Sequence, residues 1–367
     1  MSFPSKVTNL VKNSWGRWMP TFRVRGSIQE SQPLTDLETV IQTGVLDPAV
    51  VAKHLRGISP FDPNEETFNE VQVRRVLKHH VGKRCTLEIA LRTERGWRAL
   101  VAKIYRKDHS HVFETMEGIR QAGFGPQDEF SIPQPLAYVE SLQCLLEEKV
   151  DGTRADEIFK TGDEMSRAEA AKRSALWLAR FHSLGPKTGP STYANDYLNS
   201  KSMLRYSREI AKRGGRDAEK VACLHQRLED ALGSLSPAEL CAGHGSFSAA
   251  HVILAPQCTL VIDWDGYDVA DPARDVARFL AALRRPALGR LGSIRALDGT
   301  AEVFLNTYLA AGHPEVKNNL RFFEAATCLN LAKHTLCRPG PRRQAKQAKA
   351  EAMLDEGRRI LDGETGR

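Results

Sequence analysis

One stretch constrains what this chain can fold into more than any other: Cys241 to Leu280, CAGHGSFSAAHVILAPQCTLVIDWDGYDVADPARDVARFL. His244-Gly245-Ser246 opens a tight loop that returns to an apolar strand, Val252-Ile253-Leu254, and a second strand ends at Ile262-Asp263-Trp264-Asp265. Asp271-Pro272 and Asp275-Val276-Ala277 then open a helix. Two acids two residues apart on an extended segment point the same way, and carboxylate oxygens are what a hard cation such as magnesium takes. His251, at the end of the loop, is suited to metal binding or proton transfer. The order of elements therefore reads as a chemical site carried by a loop and the two strands that follow it.

With 367 residues, 41% hydrophobic and 26% charged, the composition is that of a soluble globular chain too long for one compact core, so two lobes are expected. No run of eighteen apolar residues exists, which excludes a helical membrane span, and Lys6, Lys12 and Arg17 interrupt any signal-peptide core, so the expected location is the cytoplasm. The 7 cysteines are odd in number and scattered without a Cys-x-x-Cys, arguing against a disulfide framework or a zinc site. The net charge of +7 comes from basic residues mixed with acids along the chain, so nucleic acid is not the expected partner. The densest basic run, Arg338 to Lys349, places Arg342, Arg343, Lys346 and Lys349 at helical spacing, either as a solvated helix face or as a contact surface for something acidic.

The periodicity divides the chain into three parts: a helical extension over 1–66, a β-rich lobe over 67–150 and a helical lobe over 151–367. In the first, Val7, Leu10, Val11, Trp15 and Trp18 recur at helical spacing, and short helices are signalled by the capping box Thr35 to Glu38 and by Asp47-Pro48. Strands are expected over 71–77, 85–91, 97–105, 134–139 and 142–150, with a helix over 109–123. Beyond Asp151, a capping box at Ser166 to Glu169 opens a helix that stops at Gly185, and further helices are expected over 272–284, 301–311, 314–336 and 343–361.

This order resembles the protein-kinase-like fold in its aminoglycoside phosphotransferase and choline kinase branch, from about Phe68 to the C-terminus. The strongest match is Ile262-Asp263-Trp264, Asp271-Pro272 and Asp275-Val276-Ala277, which keeps that family's spacing without a gap. Val101-Ala102-Lys103-Ile104-Tyr105 resembles the strand whose lysine steadies the nucleotide phosphates, and Leu145 to Gly152 resembles the hinge beneath adenine. The resemblance implies an α+β, two-lobed molecule that binds ATP with Mg2+ between its lobes. It assigns Lys103, Glu148 and a helical glutamate, Glu117 in preference to Glu114, to the nucleotide, and Asp263 with Asp265 to the metal. Asp271 and Asp275 are expected to cap and brace the following helix.

The catalytic loop departs from the family, whose pattern is His-Gly-Asp followed five residues later by Asn. Here Ser246 stands at the base position and His251 at the Asn position, with His244 bracing the loop. An unassisted serine is not a base, yet positioning and electrostatics carry most of phosphoryl transfer. Two readings stay open: a phosphotransferase acting on a small-molecule hydroxyl with altered machinery, or a pseudokinase that binds nucleotide or a protein partner. A third, a metal-dependent hydrolase on His244, His251, Asp263 and Asp265, matches no known spacing. The turn at Lys78 to Arg84 has one glycine where protein kinases have three, and the acceptor-binding segments, 185–204 and 214–240, carry no motif.

Overall fold

The computed structural model describes residues 9–12, 18–21, 70–80, 83–93, 96–337 and 343–363. It divides into two compact units, Met1–Glu117 with Pro133–Val150, and Gly118–Ile132 with Asp151–Arg367. The first is built on an antiparallel sheet and the second is mostly helical, so the expected α+β class holds.

In the first unit, strands β1 (Asn9–Lys12) and β2 (Trp18–Thr21) pair antiparallel. The helical stripe read from Val7 to Trp18 is corrected at these residues. An apolar set at Leu10, Val11 and Trp18 serves a strand as well as a helix. The other helix signals of the extension lie outside the described residues.

The main sheet follows as β3 (Glu70–His80), β4 (Arg84–Thr93) and β5 (Gly96–Tyr105). Helix α1 (Ser110–Gln121), the short β6 (Phe130–Ser131), β7 (Pro135–Val139) and β8 (Cys144–Glu148) come next. Its strand order is β3-β4-β5-β8-β7, antiparallel throughout. Alternation sorts the side chains. Leu87, Ile89 and Leu91 of β4, Leu100, Ala102 and Ile104 of β5, and Cys144 and Leu146 of β8 make one apolar cluster. The intervening positions, Thr86, Glu88, Lys103 and Glu147, place polar groups on the opposite face, and all four are buried.

The second unit begins with β9 (Thr153–Arg154) and α2 (Ala155–Thr161), then the long α3 (Glu164–Leu184). The cap of α3 is Asp163, whose carboxylate accepts the Ser166 N–H at 2.8 Å, so the helix starts before the expected capping box and Ser166 lies inside it. Gly185 ends it as read, because a Cβ there would meet the Phe181 carbonyl oxygen at 2.6 Å. The short β10 (Ser191–Thr192), α4 (Ala194–Leu198), α5 (Lys201–Ala211) and α6 (Gly215–Ala231) occupy the motif-free segments.

Two small sheets then carry the loop. β11 (Cys241–Gly243) pairs with β14 (Asp268–Ala270), and β12 (Val252–Leu254) pairs with β13 (Thr259–Val261). Helices α7 (Ala273–Arg290), α8 (Asp298–Ala310), α9 (Lys317–Cys337) and α10 (Arg343–Leu361) complete the unit. Its core is aromatic: Trp177 stacks on Phe247 at 5.9 Å and lies 5.8 Å from Trp264, so the α3 core residue touches both the loop and the strand-end motif. Arg284 of α7 binds Glu324 of α9 at 2.6 Å and Glu356 of α10 at 2.9 Å, fixing the last helix against the body. No helix among the described residues is long and apolar enough to cross a membrane.

Candidate active site

The functional side chains form one constellation in each unit. On the buried polar face of the first, Lys103 stands opposite Leu145, and Glu147 opposite Val101, so the two lie diagonally across β5 and β8. The Lys103 ammonium donates to Glu147 Oε2 at 2.9 Å, with both side chains 5% exposed. The carboxylate brought to Lys103 is thus a strand residue, and no described ion pair joins Lys103 to Glu117 or Glu114 of α1. A helical partner looked natural because i, i+3 glutamates mark a helix face, whereas the strand pairing follows from a register that appears only once the sheet forms. Beside this pair, Glu88 accepts from Arg75 at 2.6 Å and lies 3.1 Å from Lys149. Burial alone would raise its carboxyl, but the hydrogen bonds and charges of Arg75 and Lys149 hold it below the ordinary range. Glu148 is used within its sheet: its N–H donates to the Gln134 carbonyl at 2.9 Å and its Oε2 accepts the Gln134 N–H at 3.3 Å.

The second constellation is the loop between β11 and β12. Gly245 has φ of +73°, and a Cβ there would sit 1.9 Å from the Gly266 oxygen, so no other residue fits. His244 is fully buried and its Nε2 lies 3.0 Å from the Ile262 carbonyl. A carbonyl only accepts, so Nε2 carries the hydrogen and Nδ1 is an acceptor. Ser246 Oγ is 3.2 Å from that Nδ1, and its hydroxyl donates to it. Burial pushes the His244 imidazole below its usual pKa, against the raising effect of Asp275, which keeps it neutral near pH 7.

Asp275 is the group that shapes the loop. From the first turn of α7 its two oxygens accept the N–H groups of His244 at 2.6 Å and Gly245 at 3.1 Å. Burial opposes its charge, but neighbouring His182 and the Arg274 guanidinium hold its carboxyl far below the ordinary range. The expectation that Asp275 braces its own helix is therefore corrected: it braces the loop. Asp271 acts as expected, accepting the Ala273 N–H at 2.8 Å. His182, which the sequence did not single out, lies 3.7 Å from Asp275 and is bonded to the Tyr308 hydroxyl at 2.6 Å.

His251 Nδ1 lies 3.1 Å from the Ser246 carbonyl and therefore donates to it, which leaves Nε2 directed at Asp263 Oδ2, 3.4 Å away. Asp263 has φ of +73°, and residues 264–266 form a 3-10 turn. The segment is not extended, so the alternation argument pairing Asp265 with Asp263 does not hold. Among the described residues no group of three or more His, Cys, Asp or Glu is placed to hold a metal, as a hydrolase on His244, His251, Asp263 and Asp265 would need.

No curated protein matches the sequence. Among solved structures, the chain is similar to a choline/ethanolamine kinase family protein from Mesorhizobium loti, at 14% identity and TM-score 0.56 over 85% of this chain and 97% of that one. It is similar to a thermostable mutant of aminoglycoside phosphotransferase APH(4)-Ia in ternary complex with ADP and hygromycin B, at 14% identity and TM-score 0.55 over 82% and 97% of the two chains. It also resembles the ADP-bound aminoglycoside phosphotransferase APH(2'')-Ib, at 15% identity and TM-score 0.52 over 86% and 99%. These likenesses show the protein-kinase-like fold. The sequence model of the phosphotransferase enzyme family matches residues 88–317, from the strand of Glu88 through the loop and its bracing helix, and the chain belongs to that family.

Proposed function

We propose that the protein transfers the terminal phosphoryl group of ATP to the hydroxyl of a small molecule, through a loop in which Ser246 and His244 together replace the usual carboxylate. The single observation that carries this reading is the hydrogen bond from Ser246 Oγ to His244 Nδ1. Because the serine hydrogen is given to the imidazole, the Oγ lone pairs face outward as acceptors. A hydroxyl attacking phosphorus passes its proton to Ser246 Oγ as the serine proton moves to Nδ1, and ADP leaves. Burial disfavours the charged imidazolium that this proton shift creates at His244, so transfer is slow. The ADP seen in two of the similar structures supports a nucleotide as donor.

Lys103 is assigned to the phosphates and Asp263 to the divalent cation that accompanies them. Bound there, the cation would neutralise phosphate charge and polarise the phosphoryl group. The residues fit such an ion, which completes its shell with phosphate oxygens and water and needs one or two protein ligands. An imidazole where the family has Asn favours manganese over magnesium, since a transition-metal ion takes a nitrogen ligand more readily than the harder magnesium does.

A second reading, nucleotide binding without transfer, draws on the same contacts: Lys103 is already paired with Glu147 and Asp263 with His251. Calorimetric titration of ATP with Mg2+ or Mn2+, in the native chain and in Lys103→Ala and Asp263→Ala, tests both readings at the binding step. Each substitution should weaken binding at least tenfold in protein that remains folded. Unchanged affinity in both would overturn the assignment.

A further inference from the structure

The loop that carries Ser246 has a second surface. Ser248, Ala249 and Ala250 form one wall of a cavity of about 400 Å³ built wholly from the second unit, among α2, α7, α9 and α10. The Asp156 N–H at the start of α2 donates to the Ala249 carbonyl at 3.0 Å, so this wall is fixed to the helix beside it. The remaining lining divides by chemistry. Leu283, Pro286, Leu331 and Met353 give an apolar floor, while Lys160, Arg278, Arg285 and Lys349 bring four cationic side chains to the same space.

Among the described residues a single carboxylate lines the cavity, Asp156, and it is already engaged by Lys160 and by Arg154 at 2.9 Å. Arg278 is half-buried, its Nε is buried without an acceptor, and no carboxylate among the described residues pairs with it. Lys349 is exposed at the rim, its ammonium directed back towards Gly289 of α7, again with no carboxylate partner among the described residues. Buried donors find acceptors in folded proteins, and like charges drawn into a concave apolar site focus a field that favours an anion. A guanidinium fork suits a carboxylate or phosphate, and the volume lies in the range of small-molecule sites.

We propose that this cavity binds a small molecule carrying one anionic head group, carboxylate or phosphate, on an apolar body. The head group lies against Arg278 and Lys349 and the body on the Leu283–Met353 floor. This does not depend on the reading of the Ser246 loop, because the cavity contains none of the residues assigned to nucleotide or cation. It also accounts for part of the C-terminal basic run: Lys349 serves a ligand rather than water alone.

The test is calorimetric titration of the full chain with three eight-carbon probes below their micelle concentrations: octyl phosphate, octanoate and octyltrimethylammonium. At least one anion should bind, with the ammonium at least tenfold weaker. Lys349→Ala, a rim substitution that leaves the fold intact, and Arg278→Met, checked for unchanged melting, should each weaken the anion at least tenfold. A preference between octyl phosphate and octanoate identifies the head group. No binding of either anion at millimolar concentration, equal binding of the cation, or unchanged affinity in both variants would overturn the proposal.

Discussion

Replacing Asp275 by Asn removes a charge with almost no change of shape, and the consequences can be worked out from the contacts. Its two oxygens each receive one backbone N–H, from His244 and from Gly245, in a site where the residue is 1% exposed. An amide offers one oxygen and one NH2, so whichever way it turns, one of those N–H groups faces a donor. Leaving a buried N–H without an acceptor costs about 1–3 kcal/mol, and the remaining bond falls from charged to neutral at about 1 kcal/mol more. Part of this is offset because a neutral amide is easier to bury than a carboxylate. From a gross loss of about 2–4 kcal/mol, the net expectation after this offset is about 1–3 kcal/mol, concentrated in the loop. Hydrogen exchange reads it locally, without assuming that the two units unfold together: the His244 and Gly245 amides should exchange roughly 5- to 150-fold faster, while amides in the first unit's sheet keep their rates. Unchanged protection at those two amides, or an equal loss throughout the chain, would refute the bracing role.

Other parts of the structure give sharp expectations. Lys333 is fully buried, its ammonium bonded to Ser207 Oγ at 2.6 Å, and burial pushes its pKa down to about 8. A lysine lowered on folding binds fewer protons folded than unfolded between pH 8 and its unfolded pKa near 10.5, so stability should rise with pH across that window. Lys333→Met should therefore raise stability at pH 7 by about 1–3 kcal/mol in denaturant unfolding and abolish that rise, and a destabilised variant would contradict the burial penalty. For the cation, His251→Asn should move the preference for ATP binding from Mn2+ towards Mg2+ in parallel titrations, and an unchanged ratio would remove His251 from the metal site.

The loop was legible in the sequence because its constraints are local. Gly245 is forced by a positive φ and a backbone contact, Gly185 by the Phe181 carbonyl, and the two short strands after the loop, β12 and β13, read directly from apolar runs. What escaped was tertiary. Asp275 reaches back about thirty residues to the loop, and Glu147 finds Lys103 only through the register of β5 against β8. Asp163 takes the cap of α3 in place of Ser166, since both are good caps at three-residue spacing and only the helix start separates them. At the N-terminus, Leu10, Val11 and Trp18 satisfied a helical period over too short a stretch to exclude the observed strand pair. The Ser246–His244 contact could have been anticipated, because a residue two positions from a buried histidine across a positive-φ glycine is close enough to bond to it.

The central claim is that Ser246, through His244, serves phosphoryl transfer where the family keeps a carboxylate. ATP turnover measured with a panel of amines, sugars and alcohols, and with water alone, in the native chain, Ser246→Ala and Ser246→Asp, tests it directly. With folding and ATP affinity matched, the account predicts measurable turnover in the native chain, a fall in Ser246→Ala, and a rise in Ser246→Asp towards the roughly 10²–10⁴ that a general base contributes. Identical turnover in all three proteins, or none in any of them despite intact ATP binding, would contradict it and leave a loop kept for binding alone.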